Sequence, residues 1–101
     1  MSGIRRTVRV TDAFFEQLDE QLGPSRGPKG EPSATDFLIM DLPAAAERFA
    51  TDFDCLPEIT VGEGDGRVLI TWGVLVPAFA VYGLLRPDET IDLIGVELDL
   101  A

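Results

Sequence analysis

The segment from Val68 to Leu85 carries no charged residue, and it limits the chain to two kinds of fold. A run of about 18 apolar residues is the length at which a transmembrane helix becomes a candidate. Gly73 and Pro77 interrupt this run, and Val, Ile and aromatic residues are frequent in it, which favours strands over a helix. We therefore expect two buried β-strands joined near Gly73–Pro77 and no insertion into a membrane.

The length and composition fit one globular domain spanning residues 1–101. The chain has 101 residues, of which 46% are hydrophobic and 26% are charged. This length is ordinary for one domain, and these fractions are unlike those of a disordered chain.

The charge is strongly acidic. Lys and Arg number 8 and Asp and Glu number 18, which gives a net charge of −10. Phosphates of nucleic acid or anionic lipid would be repelled on average, so a nucleic-acid partner is not expected. The excess of acidic side chains either keeps a hydrophobic domain soluble, or binds a cationic partner, or mimics the charge of nucleic acid.

The cysteine and histidine content excludes several kinds of chemistry. Cys55 is the single cysteine and there is no histidine, so we expect no internal disulfide, no usual zinc ligand set and no imidazole base. Cys55 lies beside carboxylates, which would raise the pKa of a thiol, and we predict a buried or inert residue. The N-terminal arginines are not followed by an apolar signal segment. A reducing, cytoplasmic compartment is expected, and no cofactor.

The first half of the chain predicts a strand followed by a helix. Arg5–Val10 alternates between apolar and polar residues and predicts a strand. Thr11 then caps a helix over Asp12–Leu22, whose inward residues recur at helical spacing. The residues expected on its outer side are Asp12, Glu16, Asp19, Glu20 and Gln21. The Pro- and Gly-rich segment Gly23–Pro32 ends this helix as a loop.

A second, interrupted helix follows this loop. Ser33 is its predicted cap, with Asp36 at the third helical position. Pro43 interrupts the helix, and Asp41 is expected to cap the part that resumes there. That part ends before Pro57, and its expected inward residues are Ala46, Phe49, Ala50 and Phe53.

The second half predicts an antiparallel sheet, which makes the fold class α+β. A turn is predicted at Gly62–Gly66, followed by strands over Arg67–Trp72 and Ala78–Leu85. A second turn at Arg86–Glu89 leads into a last strand that begins at Thr90. The alternation of the last strand slips beside Gly95, which predicts a β-bulge there. We expect an N-terminal strand and a helical pair packed on this sheet. Its core would pair Val68, Ile70, Val81, Leu93 and Val96 with Phe14, Leu18, Phe49 and Phe53.

The candidate binding residues are Arg67, Trp72, Tyr82 and Arg86. A sheet can present a pair of cations to a phosphate, with an aromatic ring for stacking. Alternatively, the aromatic residues belong to the core with a polar tip exposed, and the arginines are charges at strand ends. Arg26 and Lys29 in the loop are a further possible contact point. No residues are predicted to be catalytic or to bind a metal, because no base lies near a serine and no carboxylate pair is predicted to be buried.

The element order and three segments resemble the RelE/ParE superfamily of toxin-antitoxin toxins. The segments are Arg67–Ile70, Ala80–Tyr82 and Ile91–Val96. The resemblance implies a RelE/ParE-like fold, and either a ribosome-dependent messenger-RNA endonuclease or a gyrase inhibitor. It also implies a small antitoxin that lays a helix on the toxin.

The chain departs from the ribonuclease pattern of that superfamily. The family places an arginine two residues before its Val-Tyr pair, where this chain has Phe79, and its tail is basic or aromatic, where this chain ends in Leu98–Ala101. RNA cleavage needs cations that stabilise added negative charge. We therefore expect a toxin or degenerate homologue that acts through a protein partner, either an antitoxin-like protein or a second copy. The alternatives are an acidic mimic of nucleic acid and a small enzyme with a groove between helices and sheet.

Overall fold

A computed structural model describes residues 5–62 and 64–100. It confirms the α+β class, and over these ranges it contains three α-helices, one short 3-10 helix and five strands. In chain order they are β1 (Val8–Val10), α1 (Asp12–Gln21), α2 (Ala34–Met40), α3 (Leu42–Asp52), the 3-10 helix (Phe53–Cys55), β2 (Glu58–Val61), β3 (Gly64–Trp72), β4 (Ala78–Leu85) and β5 (Ile91–Asp99). In the described part of the chain, no helix is long and apolar enough to cross a membrane.

The sheet is mixed rather than antiparallel throughout. Its strand order is β1-β5-β4-β3-β2, and β1 runs parallel to β5 with Val8 opposite Ile91. The remaining neighbours are antiparallel. The prediction missed β2, because its four residues are too few to show a clear alternation. The expected turn is also shorter, since β3 already begins at Gly64; Glu63 of that predicted turn lies outside the described residues.

Two of the three predicted helix caps are confirmed. The Thr11 hydroxyl accepts a hydrogen bond from the amide of Phe14 at 3.4 Å. Ser33 and Asp36 form a capping box, in which each side chain accepts a hydrogen bond from the other residue's amide. The predicted interruption also occurs, between α2 and α3. Asp41 stands at the start of α3, but its side chain forms no capping bond there, so that prediction is wrong.

The helices cover one face of the sheet and form the core with it. The predicted residues Phe14, Leu18, Phe49, Phe53, Val81, Leu93 and Val96 are all buried in this core. In α3, Ala45 is buried and the expected Ala46 is only half-buried. The bulge in β5 is confirmed, since Tyr82 pairs with Gly95 and Gly83 pairs with Leu93, which leaves Ile94 as the extra residue.

The predicted orientation of β3 is wrong. Leu69 and Thr71 pair with Val81 and Phe79, which turns them toward the helices. Val68 and Ile70 therefore lie on the opposite face, which we call the open face. Val68 is buried there, as predicted, whereas Ile70 is 73% exposed. Three consecutive apolar residues, from Val68 to Ile70, do not specify which face is buried, so the sequence pattern left this choice undetermined.

Candidate protein-interaction surface

Exposed apolar side chains gather where β3 turns into β4. Trp72 is 84% exposed, Val74 is 74% exposed, and Ile70 lies two residues before Trp72 on the open face. Met40 from the end of α2 lines one cavity with Trp72 and Val74, and Leu75 in the connecting loop is also exposed. We call Met40, Ile70, Trp72, Val74 and Leu75 the tip surface. Apolar side chains that are exposed together in this way are typical of interaction sites.

Asp41 fixes the loop that carries Val74 and Leu75 of the tip surface. This carboxylate is 3% exposed, and it accepts hydrogen bonds from the amides of Val74 at 2.5 Å, Leu75 at 3.1 Å and Val76 at 3.2 Å. A side chain at Gly73 would overlap the carbonyl oxygen of Val76. The loop is therefore held in one shape by a residue from between α2 and α3, and it presents Val74 and Leu75 to solvent.

The open face carries one polar pair beside this apolar surface. Tyr82 stands opposite Val68 and donates a hydrogen bond to the carboxylate of Glu97 on β5. This bond is the main cause that raises the pKa of Tyr82 above its ordinary value, and burial raises it further. Tyr82 is consequently a neutral hydrogen-bond donor at physiological pH, and its hydroxyl is already occupied.

The four sequence-predicted site residues do not form one site. Trp72 and Tyr82 share the open face, but Trp72 is exposed and the interpretation of it as a core residue is wrong. Arg67 pairs with Gly83 on the helix-covered face. Arg86 follows β4 and lies 3.6 Å from the carboxylate of Asp92.

Arg67 has a structural role under the helices. Its guanidinium donates to the carbonyl oxygens of Asp54 and Leu56 at 3.0 Å each and lies 5.1 Å from the centre of the Phe53 ring. It also bonds the carboxylate of Asp65 at 3.0 Å. These bonds join the 3-10 helix to β3, and they leave the guanidinium badly placed to hold a phosphate.

Arg26, Lys29 and Cys55 line neither of the two cavities that include Trp72 or Ile70. Arg26 pairs with Asp36 at 2.9 Å, and this hydrogen bond is the main cause that lowers the pKa of Asp36 to about 2. Cys55 is exposed, so of the two expected alternatives the buried one is wrong and the inert one stays a prediction. Among the described residues, no group of three or more Cys, Asp or Glu side chains is placed to hold a metal ion.

Comparison of the chain with protein-family models, with curated proteins and with solved structures gave no match. Any conclusion on function therefore depends on the residues and their geometry.

Proposed function

We propose that this chain is a RelE/ParE-like protein that acts by binding a protein partner through the tip surface, and that it does not itself cleave messenger RNA. The order of strand, helix, interrupted helix and antiparallel strands agrees with the resemblance seen in the sequence. The added strand β2 is a departure from the order expected.

The main support for this proposal is the exposure of Trp72. A tryptophan that is 84% exposed between two further exposed apolar residues leaves a large apolar area in water. Tryptophan is among the residues that contribute most to protein interfaces, where neighbouring apolar contacts exclude water around it. The tip surface combines such an anchor with a loop that is already ordered by Asp41, so binding would require little further loss of conformational freedom.

The arrangement of the cations supports the absence of nuclease activity. Phe79 occupies the position where the resemblance calls for an arginine, and it is buried with its ring 5.0 Å from that of Phe37. Arg67 is engaged with backbone carbonyl groups and Arg86 with a carboxylate. A phosphodiester transition state gains negative charge and needs free, converging donors, and with these contacts neither Arg67 nor Arg86 is such a free donor.

The test is reconstitution with the protein encoded by the adjacent reading frame, using purified components and calorimetry. We expect a stable complex with the wild type, and an affinity that falls about 30-fold or more in Trp72→Ser, since a central tryptophan contributes about 2 kcal/mol or more. Phe15→Ser is the matched control, because Phe15 is a partly exposed aromatic residue on α1. Absence of a complex, or equal losses in both variants, would contradict the proposal.

A further inference from the structure

A trough runs along β4 on the open face. The strand pairing places Ala80 between Ile70 of β3 and Glu97 of β5. Ala78, two residues before Ala80 and on the same face, lies beside Asp99 of β5. Neighbouring strands are about 4.8 Å apart, so the larger side chains of β3 and β5 stand on either side of these alanines. They border a depression of about 340 Å³ with the alanine methyl groups on its floor.

The two walls of the trough differ in chemistry. Ile70 forms an apolar wall, and it is 73% exposed. Glu97 and Asp99 form an acidic wall on the opposite side. Glu97 accepts a hydrogen bond from the hydroxyl of Tyr82, but this neutral donor does not offset the charge of the carboxylate. Among the residues that the structure describes, no Lys or Arg lines this depression.

The acid at the start of β5 is neutralised within the chain, in contrast to Glu97. Asp92 is bonded by Arg9 at 2.9 Å and lies 3.6 Å from Arg86. Within residues 5–62 and 64–100, no Lys or Arg side chain forms an ion pair with Glu97. The acidic wall therefore complements a positive charge that comes from another molecule.

Main-chain pairing cannot occupy this part of the open face. Every residue of β4 has a partner on both β3 and β5. On the outer side of β5, beyond its pairing with β1, Gln17 of α1 accepts a hydrogen bond from the amide of Val96 at 3.0 Å. Gln21 donates to the carbonyl of Val96 at 2.8 Å and accepts from the amide of Leu98 at 2.7 Å. Gln21, expected on the outer side of α1, thus satisfies a sheet edge, and a partner in the trough contacts the protein through side chains.

A second copy of this chain fits the trough poorly. A twofold dimer contact uses the same surface on both copies, so two open faces would bring a second Glu97 and a second Asp99 to the contact. A second copy also adds a further net charge of −10. A partner that carries Lys or Arg beside apolar side chains complements both walls.

We propose that the trough receives a lysine or arginine side chain of the partner protein that packs on the tip surface. The inference rests on the proposed function and specifies the chemistry of the partner. The aliphatic stem of this side chain packs on Ala80 and Ile70, and its charged end bonds the carboxylate of Glu97. Because Ile70 lines the trough and also belongs to the tip surface, one partner segment covers both.

The experiment uses a displayed library of short random peptides, selected on the immobilised wild type. We expect enriched sequences that carry Lys or Arg beside apolar residues. The affinity of a synthetic enriched peptide is then measured on Glu97→Gln, which keeps an acceptor for Tyr82 and removes the charge. Binding should be about tenfold weaker than to the wild type. Glu16→Gln is the matched control, because it removes one exposed acid from α1 and should change binding less than about twofold.

Two further measurements locate the cation in the trough. When the basic residue of the peptide is replaced by Gln, the affinity should fall about tenfold on the wild type and much less on Glu97→Gln, since the two groups bond each other. Ala80→Leu adds a larger side chain to the floor without changing the charge, and it should also weaken binding about tenfold.

Several results would overturn this inference. They are enrichment of acidic peptides or of none, equal losses in Glu97→Gln and Glu16→Gln, additive losses in the peptide and protein variants, and full binding to a folded Ala80→Leu. A dimer of the wild type that Ala80→Leu abolishes would also overturn it, by assigning the trough to a second copy. The proposed function fails separately, when the reconstituted complex tolerates Trp72→Ser. A complex that requires Trp72 but tolerates Glu97→Gln would overturn the present inference alone.

Discussion

Replacement of Asp41 by alanine tests whether this buried carboxylate organises the tip surface. The change removes the acceptor of three amides while leaving the backbone between α2 and α3 intact. Hydrogen bonds to a charged group contribute about 1.5–3 kcal/mol each, so three independent bonds would contribute about 5–9 kcal/mol. Burial of the carboxylate opposes this by several kcal/mol. We expect the free energy of unfolding to fall by about 3–4 kcal/mol.

The assay is urea denaturation of Asp41→Ala and of two comparison variants. Asp41→Asn keeps one acceptor and the shape of the side chain, so it should lose less, about 2 kcal/mol. Asp52→Ala removes an acid from a surface pair with Arg48, which should change stability by less than about 1 kcal/mol. Of the three variants, Asp41→Ala should show the largest acceleration of hydrogen exchange at the Val74–Val76 amides. A loss below about 1 kcal/mol with unchanged exchange would refute the reasoning.

Three further predictions concern the core, the loop and the absence of nuclease activity. Phe49→Ala should cost about 3–5 kcal/mol in chemical denaturation because Phe49 is fully buried, and a loss below about 1 kcal/mol would contradict its place in the core. The pKa of Asp36, followed by NMR titration, should be about 2 and rise in Arg26→Ala. Because the pKa of Asp36 is depressed in the folded state, this carboxylate contributes its stability above the ordinary pKa of 3.8, and the contribution is lost as the pH falls toward 2. An Asp36 carboxyl that titrates at the ordinary value would argue against the pairing with Arg26. The purified wild type should not cleave ribosome-bound messenger RNA. If it does, and if a folded Arg86→Ala variant that keeps Arg67 loses this cleavage, the nuclease interpretation is restored.

Local signals in the sequence predict the helices well. Thr11 and Ser33 bond to amides three residues away, so the positions of their caps follow from neighbouring residues. The strand Ala78–Leu85 and the bulge beside Gly95 also follow from local alternation and its interruption. These features require no knowledge of where distant parts of the chain lie.

The features that were missed depend on distant contacts. Asp41 resembles a helix cap because it precedes Leu-Pro, but its partners lie more than 30 residues along the chain, at Val74–Val76. Arg67 resembles a free strand-end charge, and only packing against Phe53 shows that it is engaged. The continuous apolar run also conceals the outward orientation of Ile70 and Trp72. Sequence reasoning therefore placed the four predicted site residues on the sheet, but it could not show that Trp72 and Tyr82 lie on the open face while Arg67 lies on the helix-covered face.

The glutamine contacts between α1 and β5 also constrain how the chain acquires its fold during synthesis. Gln17 and Val96 are 79 residues apart in sequence, and Gln21 and Leu98 are 77 apart. β5 also separates β1 from β4 in the sheet, so neither β1 nor α1 has its partner until β5 has left the ribosome. Contacts of such long sequence separation slow folding and leave apolar surface exposed in the meantime. Nascent chains halted before β5 should therefore bind general chaperones, and chains released after it should not.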